Sequence, residues 1–226
     1  MYYEPADPKQ EHAWCCLVLS GSVLEEFNTV EQEQLVRDLV GMGMKVTRLD
    51  AALDLVGEGL ETVGIFRDAC KRGELSQVRK FRSITEQCAS GAVTGDTQYM
   101  GSREGGRMLR VYDKGLERGG TTAGAWVRIE LESHKVFADL AVRLAIGEGV
   151  DFKAELVRGI FGGVDFCLHG TTRELWARPR APWYEEIVAF FGRAVVCGRE
   201  RVVASLEAQV KWLKRSVMPS LAGLAS

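Results

Sequence analysis

Polar and apolar positions alternate most clearly over residues 45–55, KVTRLDAALDL. Leu49, Ala51, Leu53 and Leu55 fall on one side of an extended chain, and Arg48, Asp50 and Asp54 on the other. Three further polar-faced strands follow from the same period of two. Residues 97–101 form a short one. In RMLRVYDK (107–114), Arg110, Tyr112 and Lys114 share a face with Leu109 and Val111 behind them, and in WVRIELES (126–133), Arg128, Glu130 and Glu132 oppose Val127, Ile129 and Leu131. The last two runs predict neighbouring strands of a hairpin with a long loop through Gly119, Gly120 and Gly124.

Helical spacing takes over elsewhere. Residues 30–40 place Leu35, Val36, Leu39 and Val40 on one stripe and stop at Gly41 and Gly43. Residues 60–71 predict a second helix, and from residue 135 the chain reads as mostly helical, with Phe137, Leu140, Ala141 and Leu144 on one stripe. Val202, Val203, Leu206, Val210 and Leu213 line a terminal helix that ends before Pro219. The apolar run WCCLVLS (14–20) reads as a buried strand, the stretch from Arg67 to Arg82 as a basic segment, and residues 171–184 as a basic, aromatic connection. The expected fold is α+β: a mostly antiparallel sheet of about four to six strands with helices on its apolar face and a helical C-terminal part. The expected division is a catalytic sheet domain over 1–150 and a helical region packed on it over 151–226.

Composition narrows the function. A net charge of −2 argues against coating nucleic acid through bulk charge, and leaves room for a local basic groove. Arg67 to Arg82, Arg103 to Arg110 and Arg173 to Arg180 are candidate grooves, with Trp176 and Trp183 placed to stack bases. No apolar run is long enough to span a bilayer and the N-terminus has no signal-peptide core, so a cytoplasmic protein without membrane contact is expected. The six cysteines include no C-x-x-C pair and read as plain thiols, not as zinc ligands or disulfides.

Asp50, Asp54, Glu130 and Glu132 on one sheet face repel one another unless something positive lies between them. A solvated face laced with cross-strand ion pairs would satisfy them, with Arg48, Arg110, Lys114 and Arg128 at hand; so would a divalent cation held by carboxylates. The chemistry that would use a tyrosine in such a setting is phosphodiester transfer. The phenol attacks phosphorus once its proton is managed and the phosphate charge is neutralised.

Three ordered stretches, VTRLDAALD (46–54), TQYMGSREGGRMLRVYDKGLE (97–117) and WVRIELES (126–133), resemble the replication initiation factor family. These are the rolling-circle initiators and relaxases of plasmids, filamentous phages and integrative conjugative elements. The tail, with EAQVKWLKRSVMPSLAGL (207–224), resembles phage-type members. The resemblance implies a sequence-specific endonuclease and strand transferase. It would nick one strand of origin DNA, presented single-stranded or as a hairpin, become linked through tyrosine to the 5′ phosphate and leave a 3′ hydroxyl. It also implies Mg²⁺ or Mn²⁺ bound by carboxylates and, by analogy, a homodimer, with host helicase as a candidate partner.

Carried onto this chain, the Y-[DE]-K element falls on Tyr112-Asp113-Lys114 and assigns the nucleophile to Tyr112. Tyr99 in the Y-x-G-S-R element is the competitor; Tyr112 is preferred because only it shares a predicted face with flanking cations. The R-x-D and R-x-E elements nominate Asp50 and Glu130 as metal ligands, with Asp54 two pleats on and Glu117 at the end of its strand. Lys114, Arg110 and Arg128 would contact the phosphate, and Arg103, Arg178 and Trp176 the DNA. Family members usually carry a longer N-terminal stretch that adds an early strand, whereas only a short segment precedes the first apolar run here. Two other readings stay open: a catalytically inactive DNA-binding regulator on the same scaffold, and a metal-dependent phosphoesterase that uses water in place of tyrosine.

Overall fold

A computed structural model describes residues 16–57, 62–120, 126–168 and 178–190. The alternating runs become the centre of a five-stranded antiparallel sheet. Strand β1 (Arg48–Val56) lies at one edge, followed in space by β6 (Trp126–His134), β5 (Arg107–Asp113), β4 (Val93–Ser102) and, at the far edge, β3 (Phe81–Gln87). From β3 to β6 the chain meanders strand by strand back to β1. The crossing from β1 to the far edge runs through helix α3 (Thr62–Lys71) and the short strand β2 (Leu75–Ser76). The mostly antiparallel α+β expectation holds, and the predicted pairing of 107–114 with 126–133 is the β5–β6 ladder.

The apolar face is the core. Met100, Leu109, Val111, Val127, Ile129 and Leu131 are buried, as are Val63 and Phe66 of α3, Ala138 and Val142 of α5 (Val136–Ala145), and Val157 and Ile160 of α6 (Phe152–Gly163). Helix α3 packs on β4 and β5, and α5 and α6 pack on β1 and β6. Beside them α7 (Pro182–Phe190) brings Trp183 and Tyr184 against Phe66 and Phe166, with ring centroids 5.0 to 6.2 Å apart. Phe166 belongs to β7 (Asp165–Phe166), which pairs with β2. Trp183 is therefore half-buried in this aromatic cluster, its indole N–H donating to Glu74 at 3.0 Å, and does not stand free as a base-stacking surface.

Several expectations change. Residues 17–20 form no strand; they lead into the short helix α1 (Gly21–Leu24), with extended Ser20 at its N-cap. An apolar run of that length does not by itself distinguish strand from other buried chain. Trp14 and Cys15 lie outside the described residues, as does the predicted terminal helix around Val202 to Leu213. The expected helix over 30–40 is α2 (Thr29–Gly41), opened by a capping box in which Asn28 and Glu31 bond each other's backbone. The basic segment runs from α3 through β2 into the first two residues of β3, whose positions are exposed on both sides except Ile84. Lys114 is not on a strand: Asp113 accepts from the Leu116 N–H at 2.9 Å and caps α4 (Lys114–Glu117), so Lys114 opens that helix. Among the described residues no helix is long and apolar enough to cross a membrane.

Candidate nucleic-acid interface

Register places the polar side chains in rows across the open face. One row runs Ala52, Glu130, Arg110, Tyr99 and Arg82; the next runs Asp54, Arg128, Tyr112, Thr97 and Ile84. A third sets Asp50 against Glu132. Four acids and two phenols thus share three rows of the face, interleaved with arginines.

At the centre is a four-residue constellation. The Tyr112 hydroxyl donates to Glu130 Oε2 at 3.2 Å, and Arg110 holds Glu130 Oε1 at 2.7 Å while its guanidinium lies 4.6 Å from the Tyr112 ring centroid. Lys114 lies 5.6 Å from the same ring and pairs with Glu117. Tyr112 is only 5% exposed. Burial, and after it the charge of Glu130, pushes its phenol up to about 12. Tyr99, half-buried on the same face, lies under Arg82 at 4.8 Å and opposite Arg110. The premise that only Tyr112 shares its face with cations is thus corrected, because both phenols do.

Around this centre the expected metal ligands are taken by cations: Glu117, which ends α4 and not a strand, by Lys114, and the other three each by its own arginine. Asp54 takes a bidentate pair from Arg128 at 2.7 and 2.8 Å, Asp50 takes one from Arg48 at 2.9 and 2.6 Å, and Glu130 takes Arg110. Burial works against the Asp54 carboxylate, but the Arg128 hydrogen bonds and charge, with the Trp126 indole and Lys114 beside them, together hold it below the usual range. Asp50, Asp54 and Glu130 sit in three different rows, and among the described residues no three His, Cys, Asp or Glu side chains come together to hold a metal. The facing acid pair is instead Asp50 with Glu132, bridged by Arg48, which also lies 3.5 Å from Glu132.

In the sequence Glu132 is one acid on the face, and His134 lies just past the alternating run. The structure joins them: His134 Nε2 lies 2.5 Å from Glu132 Oε1, and Arg103 reaches the same carboxylate at 2.7 Å. Burial opposes the Glu132 charge, yet these hydrogen bonds with Arg48 nearby keep it below the ordinary carboxylate range. His134 shares strand parity with Glu132, so continuing the alternation by two residues would have found it. Arg82 is marked by the sequence only as the end of a basic segment, with no face assigned, because β3 does not alternate.

The peripheral candidates divide. Arg103 is on the open face, whereas Arg67 turns to Asp96 and Arg180 turns to Asp165 at 2.8 Å. Arg178 lies in the segment leading to α7, off the five strands. Trp176 and Arg173 lie outside the described residues. Cys70 and Cys167 are buried, and burial pushes the Cys70 thiol up to about 11.

Comparison with known proteins adds three findings. The family model described as replication initiation factor matches residues 44–226. The solved structure of a rolling circle replication initiator protein from Geobacillus stearothermophilus is similar, with a TM-score of 0.53 at 23% sequence identity. The match covers 64% of this chain and 55% of that one, so the chain spans little more than half of that protein's length, and at this identity the likeness concerns the fold. No curated protein matches the chain.

Proposed function

Since the chain belongs to the replication initiation factor family, we propose that it is a rolling-circle initiator that nicks and rejoins one strand of origin DNA through Tyr112. The observation that carries this reading is the hydrogen bond from the Tyr112 hydroxyl to Glu130 inside a frame of cations. A nucleophile with a base within hydrogen-bond reach is the arrangement covalent catalysis needs.

In the proposed step the Tyr112 oxygen bonds to phosphorus as the phosphorus–O3′ bond breaks. The phenol proton passes to Glu130, and the departing 3′ oxygen keeps the bonding electron pair and takes a proton from water. The products are a 5′-phosphotyrosyl strand and a free 3′ hydroxyl; the reverse step rejoins them. A phenol pushed up to about 12 is almost wholly protonated at neutral pH, so proton removal has to accompany attack. Arg110, Arg128 and Lys114 would neutralise the non-bridging oxygens.

Among the described residues the side chains as arranged form no ready cage for Mg²⁺ or Mn²⁺. The hard oxygen donors that come nearest to one are Asp50 and Glu132, and a cation there would have to displace Arg48. No step above runs through a metal. A requirement for a divalent ion is part of the proposal and is read by adding chelator to the assay below.

The test uses hairpin oligonucleotides drawn from the DNA flanking the gene, labelled at the 5′ or the 3′ end, and reads a denaturation-resistant adduct. Wild type and Tyr99→Phe are expected to form it and Tyr112→Phe to lose it. Tyr99, the more open phenol, is the nucleophile if the pattern is inverted. Binding without any adduct would favour the regulator, and nicking that survives Tyr112→Phe would favour a water-using phosphoesterase.

A further inference from the structure

Trp126 begins β6 on the same face as Arg128, Glu130 and Glu132, half-buried, two residues from the Arg128 that stands opposite Tyr112. Two residues of an antiparallel strand advance about 6.8 Å, and neighbouring strands are about 4.8 Å apart. The Trp126 backbone is therefore about 8 Å from that of Tyr112 along the face, on the scale of one nucleotide step. The Trp126 ring has two cations beside it: the Arg118 guanidinium 4.9 Å from its centroid and that of Arg128 at 5.9 Å.

The two cations differ in freedom. Arg128 is clamped by both oxygens of Asp54. The Arg118 backbone is fixed at the C-cap of α4, its N–H donating to Lys114 O at 3.2 Å, but its side chain is exposed and no carboxylate among the described residues pairs with it. A guanidinium resting on an aromatic face in water is a weak contact. A nucleobase stacked on the same face binds more strongly, and the displaced guanidinium gains a phosphate. The exchange therefore runs towards the nucleotide.

We propose that Trp126 is the stacking seat for the base next to the phosphate addressed by Tyr112, with Arg118 covering the ring in the free protein and moving to the DNA backbone when a strand binds. The seat takes single-stranded DNA, since a base within a duplex is already stacked on its neighbours. The inference rests on the proposed nicking reaction for its placement and is tested separately from it.

The experiment measures binding of a fluorescein-labelled oligothymidylate, and of a matched oligomer with no bases, to full-length wild type, Trp126→Phe and Trp126→Leu. Trp126→Leu is expected to weaken oligothymidylate binding about tenfold, with Trp126→Phe between it and wild type and the abasic oligomer bound alike by all three. Equal weakening on both probes, no weakening in Trp126→Leu, or no oligothymidylate binding by wild type overturns the seat. If the leucine variant does not fold, a 5-iodouridine oligothymidylate irradiated with wild type decides: a crosslink on Trp126 supports the seat, and a crosslink only elsewhere refutes it. A chain that forms no adduct yet shows the base-dependent loss keeps the seat and refutes the nickase. An adduct without that loss refutes the seat alone.

Discussion

Glu130 holds Arg110 with one oxygen and the Tyr112 hydroxyl with the other, and is itself buried. Glu130→Gln preserves shape and removes charge and basicity. Adduct formation is expected to fall about a hundredfold or more, the usual contribution of a positioned base. The same substitution removes the charge that opposes the phenolate and leaves Arg110 to favour it. The Tyr112 phenol should then ionise at lower pH, read as the ultraviolet difference between each protein and its Tyr112→Phe counterpart. Because the folded phenol lies above its unfolded value near 10, the stability it contributes is complete below that pH and is lost as pH rises through about 12. Alkaline unfolding curves should show that loss in wild type and less of it in Glu130→Gln.

At the scale of elements, Asp54 and Arg128 tie the edge strand β1 to β6. Asp54→Asn should destabilise the fold by about 1 kcal/mol, at the modest end for a charged hydrogen bond because water partly screens the half-exposed carboxylate. Its folded pKa is depressed, so the contribution is present above the unfolded value and disappears as pH falls. The wild-type and variant urea midpoints should converge in acid. Near the end of β4, Gly101 has φ +94°, and a Cβ there would run into the Arg107 carbonyl oxygen of β5. Gly101→Ala is expected to cost about 2–4 kcal/mol, measured by urea unfolding, because backbone cannot move aside as a side chain can. How much could be read beforehand follows from the same packing. β1, β5 and β6 were legible because helices cover one face while the other carries charged and hydrogen-bonding side chains, which imposes the period of two. β3 was not, because with both sides largely wet its sequence has no face to declare. Trp183 looked like a surface aromatic among arginines; only the fold discloses that α7 folds it onto Phe66 and Phe166. The candidate site was half legible for a related reason: parity assigns a face, whereas register across strands decides which acid meets which arginine.

At the scale of the molecule, a chain of net charge −2 has to bind DNA through the arrangement of its cations, not their excess. Arg82, Arg110 and Arg128 lie in two adjacent rows of the open face, while Arg143 on α5 pairs with Asp139 at 2.7 Å and Arg67 pairs with Asp96. Arg110 and Arg128 are also bound to Glu130 and Asp54, so part of their charge is already answered. Arg82 has the Tyr99 ring as its partner, which leaves its charge available to a phosphate. Each phosphate contact on a single strand contributes a slope of about −0.7 to the dependence of log K on log salt. Arg82→Ala should therefore weaken oligothymidylate binding and make that slope shallower by about 0.7, whereas Arg143→Ala should leave it unchanged. Equal slopes for wild type and Arg82→Ala would move the strand's path away from β3. An altered slope in Arg143→Ala would mean that the strand also follows α5, and the open face would then not be the whole of the interface.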